Sequence, residues 1–337
     1  MNKKILAFES SCDDTSVAIV ESNYKVLVNF TSAQPEHAKF GGVVPEVASR
    51  LHIKNVMQLT KNVLLHAKLN LSDIDAVAVS VNPGLIGSLL VGVSYAKSLA
   101  YSLDIPLIAV NHILGHIYAN KISNPDLEPP FLALIVSGGH TELVNFKTTL
   151  DFDVVGRTRD DAAGEAFDKT AILLNLGYPG GPIIDRKAKK GDPNFYKFPR
   201  AMNRKDNFDF SFSGLKTAIM NYIKSHDSDF IQNNKNNIAA SVQNAITDSL
   251  FNKTTNYAKK HRINKIVIAG GVSANSNLRQ KFDNFSDKSG CKVFYPELQY
   301  CMDNAAMIGA AAVPKLQRKE FADLTLNAFS TKGIRRI

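Results

Sequence analysis

The chain has 337 residues, 45% of them apolar and 21% charged, which allows a sizeable core and excludes a disordered or fibrous protein. Lysine and arginine outnumber aspartate and glutamate by 40 to 31, a formal charge of +9 that suits a polyanionic partner such as RNA and equally suits solubility alone. Three scattered cysteines, Cys12, Cys291 and Cys301, argue against a disulfide framework, and no apolar run reaches the roughly 18 residues of a membrane span, so a cytoplasmic protein is expected.

In chain order, Ile5 to Phe8 is a short strand that meets Glu9 at once, too brief for a signal-peptide core. The polar turn Ser11-Cys12-Asp13-Asp14-Thr15 then leads to a second strand, Val17 to Val20. Glu9, Asp13 and Asp14 suit Mg2+ or proton handling there, or plain Asx-turn chemistry. A helix spans about Pro45 to Lys68, with Val47, Leu51, Val63 and Leu64 among its apolar residues; they pack on their own domain or on a partner. Ala76 to Val81 reads as a buried strand, followed by Asn82-Pro83-Gly84 and a helix to Ala100. Pro106 to Val110 is one more strand, and a helix carrying His112 and His116 begins behind it.

The second half repeats the plan. Phe131 to Ser137, the turn Gly138-Gly139-His140-Thr141 and Leu143 to Phe146 form strand, turn and strand. Lys265 to Ala269, then Gly270-Gly271 and a helix near Asn275 to Phe282, match the later strand and helix. Lys292 to Tyr295 is the last strand, and a helix opens at Asp303-Asn304. Such a matched order points to internal duplication, two α/β units facing each other across a cleft lined by glycine-rich turns.

Histidines four apart on a helix share a face, close enough for both imidazoles to reach one metal ion. Ile113, Leu114 and Gly115 lie between them, so the catalytic Glu of a zinc protease is absent. The duplication brings Asp303 to the cleft from the side opposite the histidines, completing a two-His, one-carboxylate set suited to iron(II) or zinc. The alternative for Asp303 is a helix N-cap, and for the histidines an ordinary buried and solvated pair. Ser137-Gly138-Gly139 exposes backbone N–H groups to a phosphate, with His140 and Thr141 adding donors, or is simply a hairpin. Asn275 would bind a base or ribose, or cap the helix. Asp161, Glu165 and Asp168 share one helix face that is either solvated or holds ribose hydroxyls or a metal–phosphate, and Gly177-Tyr178-Pro179-Gly180-Gly181 leads into a helix carrying Asp185.

These motifs resemble one pattern: Glu9-Ser-Ser-Cys-Asp-Asp-Thr15, Gly41-Gly-Val-Val-Pro-Glu-Val-Ala-Ser-Arg50, Asn111-His-x3-His116, Val136-Ser-Gly-Gly-His-Thr141 and Asp161-Ala-Ala-Gly-Glu-Ala-Phe-Asp-Lys169. Gly177 to Pro182, Phe212-Ser-Gly-Leu-Lys216, Gly270 to Asn275 and Asp303 to Ile308 continue it. The chain resembles the universal tRNA threonylcarbamoyladenosine transferase family, long labelled O-sialoglycoprotein endopeptidases, and its first motif resembles the bacterial branch. A mitochondrial relative would be expected to begin with a transit peptide.

The resemblance implies a duplicated actin-like, sugar-kinase-like ATPase fold of class α/β, two RNase H-like subdomains around a cleft. The expected division is 1–125, 126–300, and a tail, 301–337, packing back on the cleft and the first subdomain. The implied reaction transfers a threonylcarbamoyl group from threonylcarbamoyl-AMP to N6 of adenosine 37 in tRNAs reading ANN codons. His112, His116 and Asp303 fall on the family's metal ligands, Fe2+ with Zn2+ as the alternative. Ile135, Val136, Ser137, Gly138, Gly139, Asp168, Gly181, Asp185 and Asn275 fall on its nucleotide- and substrate-binding positions, for ATP or threonylcarbamoyl-AMP with Mg2+ a further candidate. Implied partners are tRNA, an inactive paralogue forming a heterodimer and a small P-loop ATPase, with no membrane. No general base is named; Asp13 and Glu9 are candidates by location. Lys197, Arg200, Arg204, Lys205, Arg335 and Arg336 are candidate tRNA-phosphate contacts. The rival readings are a metalloprotease, a small-molecule kinase on the same fold, and a nucleotide-dependent scaffold.

Overall fold

The computed structural model describes residues 2–40, 42–149, 151–202, 206–329 and 333–334. Gly41 of the second motif and four of the basic candidates, Arg204, Lys205, Arg335 and Arg336, lie outside the described residues. The chain divides into two compact units, Met1–Leu127 with Pro296–Ile337, and Glu128–Tyr295.

In the first unit, β1 (Lys4–Glu9) pairs antiparallel with β2 (Thr15–Glu21), which pairs antiparallel with β3 (Val26–Ser32). On its other edge β1 runs parallel to β4 (Ala76–Asn82), and β4 to β5 (Leu107–Asn111), giving the order β3-β2-β1-β4-β5. Alternation along the strands separates two cores. Ile5, Ala7, Val20, Ala78 and Ile108 face one side, where α3 (His112–Ser123) and α9 (Ala305–Arg318) pack. Leu6, Phe8, Ile19, Val77 and Val79 face the other, toward α1 (Pro45–Ala67) and α2 (Ile86–Leu103). Both faces are covered, which is why these strands read as continuous apolar runs. Each fully buried large side chain here contributes about 1.5–3 kcal/mol.

The second unit repeats the topology. β6 (Phe131–Val136), β7 (Thr141–Phe146) and β8 (Phe152–Arg157) form the antiparallel part, and β9 (Lys265–Ala269) and β10 (Lys292–Phe294) the parallel part, in the order β10-β9-β6-β7-β8. Counted from the first strand of each unit, both sheets follow 3-2-1-4-5, so the duplication read from the sequence is present in the fold. Leu132, Leu134, Val136 and Leu143 join the core formed with α4 (Ala163–Leu173), α5 (Gly180–Ala188), α6 (Ser213–Lys224), α7 (Ser228–Lys260) and α8 (Ser276–Ser289). Among the described residues no helix is long and apolar enough to cross a membrane.

Candidate functional site

The histidine pair is set by the junction between β5 and α3. Asn111 ends the strand and caps the helix, its side-chain oxygen accepting from the N–H groups of Ile113 (2.9 Å) and Leu114 (3.1 Å), so His112 takes the first helical position. One turn later His116 stands on the same face, the two rings 4.7 Å apart between centroids. Gly115, between them, is a packing residue: a Cβ there would lie 2.9 Å from Ile308 Cδ1 and 3.2 Å from Met307 Cγ, on α9. Gly309 does the same on the other flank of α9, where a Cβ would come 2.5 Å from Val20 Cγ2. Small residues therefore bring α9 hard against both α3 and the sheet, and Asp303, two residues ahead of α9, is delivered to the histidines.

The residue that caps α9 is Asn304, whose side chain accepts from Met307 N–H at 2.9 Å. Asp303 is thus not the N-cap. Nor does it come from the opposite half, as the duplication suggested, because it belongs to the same compact unit as the histidines. Asp303 Oδ1 lies 3.2 Å from His116 Nε2 and 3.6 Å from His112 Nε2, and one donor atom from each of the three residues falls within 4.8 Å of the others. Donors sharing one ion at about 2.0–2.2 Å are separated by just such spacings. His116 is buried, yet neither ring nitrogen makes a hydrogen bond among the described residues. A buried polar group without a hydrogen bond costs about 1–3 kcal/mol, and a metal ion bound between His116 and Asp303 would offset part of it. The donor set fits a divalent ion with open positions.

Around it lies an acidic loop. Burial disfavours charge on His112, but the Glu9 and Asp303 carboxylates raise its pKa to about 9. Asp14 is pushed up to about 7 by burial and by the charges of Asp303, Asp13 and Glu9. Burial, with Asp13 and Asp303, pushes the Cys12 thiol upward, which makes it a poor nucleophile or metal ligand. Glu9, a candidate base by location, is 1% exposed with both oxygens engaged by Ser11 and His112, so it is placed to hold its neighbours rather than to take a substrate proton. His52 of α1 anchors the same loop, pairing through Nδ1 with Thr15 Oγ1 (2.7 Å) and donating from Nε2 to the Cys12 carbonyl (2.9 Å).

The glycine turns belong to the second unit. Ser137 to His140 joins β6 to β7, and Gly164 N–H at the start of α4 donates to the Ser137 carbonyl at 3.1 Å. The fold engages parts of this turn: Ser137 N–H donates to the His140 carbonyl (2.9 Å), Ser137 Oγ accepts His140 N–H (3.1 Å), and buried Thr141 Oγ1 accepts Ala163 N–H (2.8 Å). Ile135 and Val136 are fully buried in β6, so their side chains serve the core. Gly138 and Gly139 differ, since a Cβ on either would meet no described atom within 4 Å. Gly181 is open in the same way.

Other expected residues are drawn into structural work. Asp168 Oδ1 accepts Gly180 N–H at 2.7 Å, fastening the start of α5; burial raises its pKa against the pull of the Gly180 and Gly181 N–H groups. Asp185 accepts from Ser276 Oγ at 2.7 Å, and Asn275 caps α8 through Leu278 N–H at 3.0 Å while donating to Gln243 Oε1 at 2.9 Å. The capping role expected of Asn275 is present. Asp161 precedes α4 instead of sharing its face, and Lys169 pairs with both Asp161 (2.7 Å) and Glu165 (2.8 Å). Arg200 is paired with Asp248 at 2.6 Å and donates to the Phe198 carbonyl, which leaves Lys197 as the exposed one of the two described candidates in that segment. Sequence reasoning missed Ser11 and Asp160. Asp160 accepts from Phe212 N–H (2.7 Å), Ser213 N–H (3.2 Å) and the hydroxyls of Ser211 and Ser213 (2.6 Å each), and despite burial these bonds hold its carboxyl below its usual range. The Ser-Phe-Ser-Gly start of α6 was the available signal.

Comparisons with known proteins bear on this geometry. Residues 25–310 match the family model of tRNA N6-adenosine threonylcarbamoyltransferase. A relative from Kosmotoga olearia with that name is 50% identical over 326 residues, 96% of this chain and 97% of its own. One from Clostridium perfringens, also so named, is 51% identical over 330 residues, 97% of each chain. Among solved structures, HypF of T. kodakarensis aligns with 95% of this chain and 48% of its own at a TM-score of 0.63 and 14% identity. Component A of the Acidaminococcus fermentans (R)-2-hydroxyglutaryl-CoA dehydratase aligns with 94% of this chain and 99% of its own at 0.54 and 12%. At such identities the likeness shows the fold alone, which is the actin-like ATPase fold expected from the sequence. With half of its residues shared across nearly the full length of these relatives, and with the family model matching residues 25–310, the chain belongs to the tRNA N6-adenosine threonylcarbamoyltransferase family.

Proposed function

We propose that this transferase takes the threonylcarbamoyl group of threonylcarbamoyl-AMP to N6 of adenosine 37 in tRNAs reading ANN codons, with His112, His116 and Asp303 holding one divalent ion and the Ser137–Gly139 turn holding the nucleotide. The observation that carries the metal reading is the buried His116, which lacks a hydrogen-bond partner among the described residues and has Asp303 Oδ1 at 3.2 Å. Two imidazoles and a carboxylate suit Fe2+, with Zn2+ the alternative. A bound ion supplies Lewis-acid polarisation of the carbonyl under attack. The chain's own part is positioning. The bond from N6 to the carbamoyl carbon forms as the bond from that carbon to the AMP phosphate oxygen breaks, and N6 gives up a proton. Adenine N6 is a weak nucleophile, so holding the reactants in register supplies much of the acceleration. An unpaired anticodon-loop base is accessible in a way that a duplex base is not.

The test is reconstituted transfer from threonylcarbamoyl-AMP to unmodified tRNA, in the presence of the paralogue and the small P-loop ATPase, read by mass spectrometry of the nucleosides. Threonylcarbamoyladenosine with matching release of AMP is the expected result. Its absence, with the partners shown competent alongside another family member, overturns the reading. ATP, Mg2+ and a cytoplasmic setting belong to the same proposal.

The face proposed for the paralogue is formed by α1 and α2. Val63, named from the sequence, is fully buried and Leu64 packs on the core of its own unit. Outward apolar residues instead include Ile53 (63% exposed) and Met57 (55%), which with Leu90, Val91 and Tyr95 line a groove of about 500 Å3. Exposed apolar surface of this kind marks an interaction site. Replacing Ile53 and Met57 together by aspartate is expected to abolish the heterodimer in analytical ultracentrifugation while shifting the melting temperature of the isolated chain little.

A further inference from the structure

Glu9 closes β1 and is 1% exposed. A charge so deeply buried is tolerated only when both carboxylate oxygens are engaged. Here Oε1 accepts the Ser11 backbone N–H at 2.5 Å, and Oε2 lies 3.0 Å from His112 Nδ1. Ser11 Oγ stands 3.1 Å from the same nitrogen. A carboxylate can only accept, so Nδ1 carries the proton and donates it to Glu9. That leaves Nε2 as the ligating nitrogen, on the side of the ring that faces Asp303. His116 has no equivalent arrangement, because neither of its ring nitrogens is hydrogen-bonded among the described residues.

We propose that Glu9 is the positioning residue of the metal centre: it fixes the tautomer and ring orientation of His112 so that one imidazole is aimed before the ion arrives, while His116 is held by the ion itself. This rests on the metal reading above. Glu9 and His112 stand at the carboxyl ends of β1 and β5, strands separated in the sheet only by β4, so the rigid centre of the unit does the aiming. Carboxylates hydrogen-bonded to ligating histidines act in this way, orienting the ring and raising its basicity, and losing one typically costs 10–100-fold in metal affinity.

The test compares the full chain with Glu9→Ala and Glu9→Gln. Dissociation constants for Zn2+ and Co2+ are measured by chelator competition, with the Co2+ visible spectrum and the melting temperature of metal-free protein recorded alongside. Glutamine offers one acceptor where two N–H groups donate, so its amide nitrogen must meet a donor, at Ser11 or at Nδ1. Metal affinity is expected to fall 10–100-fold in Glu9→Ala and by a smaller factor in Glu9→Gln, with the Co2+ bands displaced in both. Unchanged affinity and bands in a variant whose metal-free melting temperature has dropped would mean that Glu9 only supports the fold, and would overturn the proposal. If the alanine variant does not fold, the glutamine variant decides on the same readouts. Absence of Zn2+ and Co2+ binding in the unmodified chain overturns the metal reading itself, and this inference with it.

Discussion

Asp303→Ala is expected to lower threonylcarbamoyl transfer by about a thousandfold or more and to leave the purified protein without its divalent metal. Asp303 is the single carboxylate within 4 Å of both histidine Nε2 atoms among the described ion pairs, so its removal strips the negative charge from the donor set and leaves only the two imidazoles. Charge stabilisation at a metal centre is worth several kcal/mol, and each 1.36 kcal/mol is a factor of ten in rate, which gives the scale of the loss. The fold should survive. α9 keeps its own cap at Asn304, and its first N–H groups stay pinned to the sheet, Ala305 to Ser16 Oγ at 2.8 Å and Ala306 to Asn29 Oδ1 at 3.0 Å. His116→Ala should lose metal as fully, with a different effect on stability, since it also removes a buried ring whose nitrogens lack hydrogen bonds among the described residues. Metal content by mass spectrometry, nucleoside analysis of the tRNA and thermal unfolding separate these effects. A variant of Asp303 that keeps both metal and turnover would remove the residue from the site.

The sequence shows the histidines easily and Asp303 only with difficulty, for a physical reason. A His pair four apart after a buried strand is a local pattern, and Asn111 just before it is a local cap. What carries Asp303 to that pair is the packing of α9 against α3 and β1, governed by Gly115 between the histidines and by Gly309 and a run of alanines nearly 200 residues further on. Chain order alone suggested the opposite half. Where Asp303 and Asn304 stand side by side, either can cap the helix, and only the backbone geometry chooses Asn304. The same ambiguity attends the residues expected to bind nucleotide. Thr141, Asp168, Asp185 and Asn275 all lie near helix starts, where orphaned N–H groups and neighbouring hydroxyls compete for any side-chain oxygen. A sequence shows that such an oxygen is present, not which donor claims it. The matched order of strands was more legible, because buried strands and hairpin turns leave a pattern within about 20 residues, although the half-buried edge strands β3 and β8 went unread.

The glycines around the Ser137 turn should separate a residue the fold needs from one the ligand needs. Gly164→Ala would set a Cβ 2.5 Å from the Ser137 carbonyl oxygen and 2.8 Å from Gly138 Cα, both backbone atoms that cannot swing aside. Either α4 or the turn must then move, at a cost of about 1–3 kcal/mol. That variant is expected to melt lower and to bind nucleotide poorly, through displacement of the turn. Gly138→Ala and Gly139→Ala present the opposite case. Neither glycine has the positive φ that would disfavour a side chain, and a Cβ on either would reach no described atom within 4 Å. On protein grounds alone they are replaceable within about 0.5 kcal/mol. If the turn admits phosphate oxygens to its backbone N–H groups, the added methyl stands in the approach, and AMP affinity should fall at least tenfold at an unchanged melting temperature. Calorimetric titration with AMP beside thermal unfolding reads both quantities. Wild-type affinity in both alanine variants would show that the turn is only a hairpin. A loss of stability without loss of affinity would mean instead that the open space beside Gly138 and Gly139 serves the folded chain and not a nucleotide.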